Sequence, residues 1–249
     1  MSVFGINLGH NEEQVELCRL INENDKKIII CNGYAGTGKT FISLATALDL
    51  QERKKFSSIV YTRDPVQVGH DMGFIPGDAA QKLDPFMRPL VSNLRNIVRA
   101  QAKCGCERKL DKHQIENKAN DLLQHFEVVP IGFMRGDTLE DTILIVDEAQ
   151  NLDLTSLKTV VSRIGEYCKV ILLGSFNQID DWRLRKMRKC PFQRVAEALQ
   201  GLPYVGYVEL KQSMRSKICV EVDNILGQIP DEDGYPLYKQ DNTPTGPKP

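Results

Sequence analysis

The chain has 249 residues, room for one large domain with an appendage but not for two complete nucleotide-binding lobes. Its 32 basic and 33 acidic side chains leave a formal charge of −1, which argues against a polycationic mode of nucleic-acid binding, while 41% hydrophobic and 26% charged residues are ordinary for a soluble globular protein. No apolar stretch approaches the roughly 18 residues of a membrane span, the N-terminus lacks a secretory pattern, and seven scattered cysteines read as reduced thiols, so the expected location is cytoplasmic with no membrane partner.

In chain order, the periodicity predicts a helix over 12–24, a strand over 27–31, a helix over 39–51, a strand over 58–62 and a helix over 85–102. Strands over 126–130 and 142–147 follow, then a helix over 154–164, a strand over 169–174, a helix over 193–199, a strand over 204–210 and a helix over 217–226. The strand runs are nearly all apolar, as strands buried on both faces are, so the pattern indicates an α/β fold with a parallel sheet and helices on both faces. Residues 103–124 have no obvious place in that sheet and are expected as a partly helical surface insertion. Residues 229–249 hold five prolines and few apolar side chains, and are expected as a flexible tail after a single domain spanning 1–228.

Gly33-Tyr34-Ala35-Gly36-Thr37-Gly38-Lys39-Thr40 matches G-x-x-x-x-G-K-[ST], directly after one predicted strand and directly before a helix. Glycines let successive backbone N–H groups turn inward toward phosphate oxygens, and the helix N-terminus adds partial positive charge. The expected nucleotide contacts therefore run from Gly33 to Phe41, with Lys39 reaching the β and γ phosphates and the Thr40 hydroxyl on Mg²⁺. The apolar run Ile143 to Val146 ends in Asp147 and Glu148. A strand tip puts Asp147 at the carboxyl edge of the sheet as a second metal group, and Glu148 beside it can take a proton from an attacking water. The bland alternative is that both acids only cap the following helix.

After the next strand, Ser175, Asn177 and Gln178 are candidates to sense the γ phosphate or hold water. Asn177-Gln178-Ile179-Asp180 also resembles a guanine-reading N-K-x-D string, but lysine is missing and no D-x-x-G follows Asp147. Trp182 with Arg183, Arg185, Lys186, Arg188 and Lys189 forms a basic run around one aromatic, either a surface for single-stranded RNA or DNA or a solvated loop. Residues 82–112 carry eight basic and three acidic groups, a local excess of 8 − 3 = +5. Cys104 and Cys106 with His113 and His125 lack a zinc spacing and read as plain thiols.

Taken with Thr62-Arg63-Asp64-Pro65-Val66, Gly73-Phe74-Ile75-Pro76-Gly77-Asp78, Asp84-Pro85-Phe86-Met87-Arg88-Pro89-Leu90, Phe133-Met134-Arg135-Gly136 and Asp147-Glu148-Ala149-Gln150-Asn151, the chain resembles the PhoH-like proteins, relatives of the superfamily 1 helicase core. That resemblance covers roughly residues 11–225. It implies a RecA-like P-loop NTPase core, ATP hydrolysis with Mg²⁺, RNA-directed or helicase-like action, and a homo-oligomer such as a hexameric ring. Gln14 looks like an adenine-reading glutamine, and Arg215 like the arginine that offers charge to the transferring phosphoryl group. Arg63 and Arg135 are the other arginines with a claim to that role, Arg135 or Arg215 reaching into a neighbour's site within an assembly. Two positions depart from the family pattern: Ser175 stands where an acid usually precedes the sensor glutamine, and Asp64 where proline usually follows the arginine. A small-molecule kinase and a nucleotide-gated binding module without hydrolysis are the alternatives.

Overall fold

The computed structural model describes all residues except 10, 64–78, 105–109, 135–138, 231–233, 235 and 237–249. Within it the apolar runs become six strands of one parallel sheet, in the order β5-β4-β6-β7-β3-β8. The N-terminus opens with a short antiparallel pair, β1 (Ser2–Val3) and β2 (Ile6–Asn7), followed by α1 (Glu12–Asn22). Then come β3 (Ile28–Gly33), α2 (Lys39–Glu52), β4 (Ser58–Arg63), α3 (Ala79–Cys104), α4 (Lys112–Leu123) and β5 (Phe126–Val128). The second half runs β6 (Thr142–Asp147), α5 (Leu154–Val161), β7 (Lys169–Gly174), the short α6 (Trp182–Arg185), α7 (Pro191–Leu199), β8 (Val205–Leu210) and α8 (Lys217–Gly227).

Strict alternation along each strand splits the core in two. Ile29 and Cys31 of β3, Ile143 and Ile145 of β6, and Ile171 and Leu173 of β7 face α1, α2, α3 and the N-terminal pair. Their neighbours Ile28, Ile30, Leu144, Val146, Val170 and Leu172 face α5 and α7 on the other side. Both faces are therefore dry, which is why the strands read as unbroken apolar runs rather than as an in-out alternation.

Some boundaries differ from the predicted ones. Helix α3 starts at Ala79 rather than at Pro85, and its buried stripe Leu90, Leu94, Ile97 and Val98 lies on the first core. Residues 112–123, which had no place in the predicted sheet, form α4 as part of the crossover from β4 to β5. A capping box between Asp111 and Gln114 starts that helix, Ala119 is buried, and Ile115, Leu122 and Leu123 pack against the first core. A bidentate Arg95–Glu116 pair, 2.7 and 2.6 Å, ties it to α3. Most of the proline-rich tail lies outside the described residues. Among the described residues no helix is long and apolar enough to cross a membrane.

One buried cation fastens the sheet to α1. Lys169, at the start of β7 and 2% exposed, donates its Nζ to the carbonyls of Ile21 and Glu23, at 2.7 and 2.6 Å, at the C-terminal end of α1. Burial, with a smaller contribution from Lys27, pulls its amine down to about 8. Below that pH both the folded and the unfolded chain carry the proton. Between about 8 and 10.5 only the unfolded chain does, so this group adds stability as pH rises through the window. Measured by urea unfolding against Lys169→Met, the wild type should gain on the order of 2 kcal/mol across it, less than burial alone would give because the two carbonyls favour the charged amine. A difference that stays flat with pH would show that the ammonium keeps its proton in the fold.

Candidate functional site: a phosphate loop facing two strand-tip carboxylates

Because all six strands are parallel, the loops that leave them gather at one edge of the sheet. The loop after β3 turns into α2 through left-handed glycines, Gly36 at φ +79° and Gly38 at φ +93°. Both are also places of close approach: a Cβ on Gly36 would stand 2.6 Å from Arg215 Nε, and one on Gly38 would stand 2.6 Å from Gln14 Nε2. The glycines thus admit two predicted nucleotide-handling side chains as well as bending the loop.

Gln14 sits in the first turn of α1, whose cap Asn11 accepts its backbone N–H at 3.1 Å, and its Nε2 donates to Thr37 O at 2.9 Å. On the far side the segment after β8 crosses the loop, Met214 N donating to Gly36 O at 2.8 Å, while Arg215 lies 3.7 Å from Asp223. Lys39 Nζ donates to the carbonyls of Gly33 and Tyr34 at 2.5 and 2.8 Å. Burial holds this ammonium below the usual lysine range, against the pull of Glu148, Cys31 and Asp147.

Asp147, 3% exposed at the tip of β6, accepts hydrogen bonds on both oxygens, from Thr40 Oγ1 at 2.8 Å and from the Tyr61 hydroxyl at 2.8 Å. Register explains the second contact. Arg63 is paired with Asp147 across β4 and β6, and Tyr61, two residues earlier, points to the same face. Arg63 stands 3.8 Å from Asp147 Oδ2 and 3.8 Å from Glu148 Oε1, one guanidinium shared between two acids. Burial raises the Asp147 carboxyl above its usual value and Glu148 adds to that, with Arg63, Thr40 and Tyr61 opposing. A buried carboxylate beside a hydroxyl offers the oxygen ligands that suit a hard dication such as Mg²⁺.

Glu148 follows in the left-handed region, φ 54° and ψ 41°, and its Oε2 accepts from Gln150 Nε2 at 2.6 Å. Gln178 Oε1 accepts the N–H of Ala35 at 2.6 Å, so the predicted sensor touches the phosphate loop directly. Asn177 donates to the Tyr34 hydroxyl at 3.2 Å. The Ser175 departure has a structural reading: its Oγ accepts the backbone N–H groups of Gln178 at 3.2 Å and Asn177 at 3.4 Å, an anchoring of the turn that an acid could also provide. A cavity of about 630 Å³ joins Gln14, Gly38, Phe41, Glu148 and Arg215 to Asn93 and Asn96 of α3, a size suited to a small ligand.

Lys39, Thr40, Asp147, Glu148, Gln178, Gln14 and Arg215 therefore meet at one place. Arg135, Asp64 and the string from Gly73 to Asp78 lie outside the described residues. The basic run after Asp180 is partly engaged, Arg183 with Asp181 at 2.8 Å and Lys189 with Glu197 at 2.7 Å, and the Trp182 side chain is outside the described set. Cys104 accepts the N–H of Asn7 at 3.4 Å, His113 contacts Asn117 and His125 contacts Gln51, three separate places, and Cys106 is not described. Sequence reasoning assigned no role to Tyr61, which reads as one more core residue in an apolar strand, or to Gln150, whose partners are visible only in three dimensions.

If Ser175 anchors the turn, Ser175→Ala should lower unfolding free energy by about 1 kcal/mol, whereas Ser175→Asp, able to accept the same amides, should stay within about 0.5 kcal/mol of wild type in chemical denaturation. Equal losses in both variants would show that the hydroxyl does something a carboxylate cannot.

The sequence model of the PhoH-like protein family matches residues 8–226. The chain is 32% identical over 200 residues to the PhoH-like protein of Bacillus subtilis (strain 168), covering 80% of this chain and 57% of that protein. It is 34% identical over 173 residues to protein PhoH of Escherichia coli (strain K12), covering 70% and 45%. The chain thus spans about half the length of the curated relatives it matches. Among solved structures, the Pif1 helicase from Candida albicans gives a TM-score of 0.42 at 14% identity, over 91% of this chain and 46% of that one. With a family model covering most of its length and a phosphate-loop motif on a six-stranded parallel sheet, the chain belongs to the PhoH-like protein family and has the α/β architecture of a P-loop protein.

Proposed function

We propose that this protein hydrolyses ATP with the help of Mg²⁺, within one ATPase domain spanning residues 1–228. The observation that carries the reading is the 2.8 Å hydrogen bond from Thr40 to Asp147, which brings the phosphate loop within one side chain of an acid pair at the neighbouring strand tip. Thr40 and Asp147 would hold Mg²⁺, which when bound supplies positive charge against the phosphate oxygens.

The rest of the chemistry falls to the chain itself. Backbone N–H groups of Gly36, Gly38 and Lys39 line the loop toward the β phosphate, and the Lys39 ammonium exchanges its two carbonyl partners for phosphate oxygens. Glu148 takes the proton of a water that attacks the γ phosphorus in line, and the bond to the leaving ADP oxygen breaks. Gln178 reports the γ phosphate to the turn after β7. Arg215, lying against Gly36, offers a further positive charge, and Gln14, which lines the cavity, would meet the base. Action on single-stranded RNA or DNA would engage several copies of the chain, with the basic run at 182–189 as one contact surface.

Phosphate release from ATP and from GTP, with and without single-stranded RNA or DNA, tests the reading. ATP turnover that depends on Mg²⁺ is expected. Tight binding with no phosphate release would instead indicate a nucleotide-gated module, and consumption only with an added acceptor would indicate a kinase. Lys39→Ala should abolish turnover. Glu148→Gln should bind nucleotide within a few-fold of wild type while turnover falls by roughly 10²–10⁴-fold; equal turnover would remove the proposed base. Tyr61→Phe deletes one hydrogen bond to Asp147 and should raise the Mg²⁺ concentration needed for half-maximal turnover about tenfold, with little change at saturating metal.

A further inference from the structure

Gln150 is 2% exposed, and both ends of its carboxamide are used. Nε2 donates to Glu148 Oε2 at 2.6 Å, while Oε1 accepts the backbone N–H of Ser175 at 3.1 Å. The fit is close: a Cβ on Gly174 would stand 2.8 Å from Gln150 Oε1 and 2.6 Å from Phe192 Cε1, so the carboxamide is walled in at the end of β7. From Ser175 the connection continues, since its Oγ accepts the N–H of Gln178 and Gln178 Oε1 accepts the N–H of Ala35. An unbroken path therefore runs from the carboxylate of Glu148 through Gln150, Ser175 and Gln178 to the phosphate loop. A parallel tie lies one residue on, where Asn151 Oδ1 accepts the N–H of Asp180 at 3.0 Å and its Nδ2 donates to Asp180 Oδ2 at 3.1 Å.

We propose that Gln150 is a positioning residue: it fixes the Glu148 carboxylate to the turn after β7, so that the proton-accepting group and the Gln178 contact on Ala35 move as one unit. This inference rests on the hydrolytic reading of the site. Glu148 sits in the left-handed region, which residues other than glycine seldom adopt, and its other oxygen, Oε1, stands 3.8 Å from Arg63. A carboxylate held at Oε2 by a neutral donor keeps Oε1 for a water proton. Without that donor the side chain is free to turn about its own torsions, and the place of Oε1 relative to the phosphate loop is no longer set. The tie at Ser175 adds the second half of the role. When a γ phosphate competes for the Ala35 amide, the displacement of Gln178 reaches Glu148 through three hydrogen bonds rather than through a side chain free to lag behind.

The test uses the full chain and four proteins: wild type, Gln150→Glu, Gln150→Leu and Gln178→Ala, together with the double variants at 150 and 178. Gln150→Glu keeps an acceptor for Ser175 N–H and the shape of the side chain but removes the donor to Glu148, and Gln150→Leu removes both contacts. Turnover number and nucleotide Kd are measured separately, with thermal melting as a control. Both variants at 150 should lose roughly 10–100-fold in kcat while Kd for ATP stays within about threefold, the size expected when a supporting hydrogen bond is removed from a working group. The loss from combining a variant at 150 with Gln178→Ala should be smaller than the product of the single losses, because both act on one unit.

Unchanged kcat in Gln150→Glu, or a fall in kcat matched by equal losses of binding and melting temperature, overturns the positioning role and leaves the hydrolytic reading intact. Fully multiplicative losses overturn the coupling to Gln178. A wild type that binds ATP and releases no phosphate overturns the hydrolytic reading and this inference with it, and the same assay shows which has failed.

Discussion

The hydrogen bond between Thr40 and Asp147 joins two parts of the chain that are separated by 107 residues, and the site depends on it. One partner begins α2 and the other ends β6, so their contact sets where the phosphate loop stands relative to the acids. The sheet order makes it possible. Strand β7 lies between β3 and β6, which leaves room at the carboxyl edge for the loop on one side, the acids on the other and the Ser175–Gln178 turn between them. Around that contact the packing is dry: both faces of β3, β6 and β7 are buried, and rigid strands hold the tips in register.

Charge balance is the second constraint. Asp147 and Glu148 are adjacent, the first fully enclosed, and burial together with mutual repulsion pushes the Asp147 proton affinity up. Arg63 is placed between them, Tyr61 and Thr40 donate to Asp147, and Gln150 donates to Glu148. Lys39 is the complementary case, a cation pushed by burial toward its neutral form, with the same two acids opposing that shift. The members of this set are linked by hydrogen bonds and charge, so removing any one of them disturbs groups it does not touch.

Much of this was legible in the chain because the signals are local. The loop from Gly33 to Thr40 is a contiguous string with a strand before it and a helix after it, and the acids end an apolar run, so spacing alone placed both at strand tips. The six strand runs were readable for the same reason, since burial on both faces leaves almost no polar residue within them. What escaped detection was non-local. Tyr61 donates to a carboxylate 86 residues away, and an aromatic inside Ser58–Arg63 looks like ordinary core. Gln150 finds Ser175 only after β7 has been laid beside β6. The N-terminal strands are two residues each, too short to show a period. Helix α4 carries sparse apolar residues that become a packing face only once α3 is alongside.

A crystal structure of the full chain with Mg²⁺ and a non-hydrolysable ATP analogue would settle the arrangement most directly. The triphosphate should lie against the amides of Gly36 to Thr40, with the Lys39 amine moved off the carbonyls of Gly33 and Tyr34 onto phosphate oxygen and with Asp147 and Glu148 facing the terminal phosphoryl group. A nucleotide seated elsewhere, or one on the loop with both acids turned away from its γ phosphate, would contradict it.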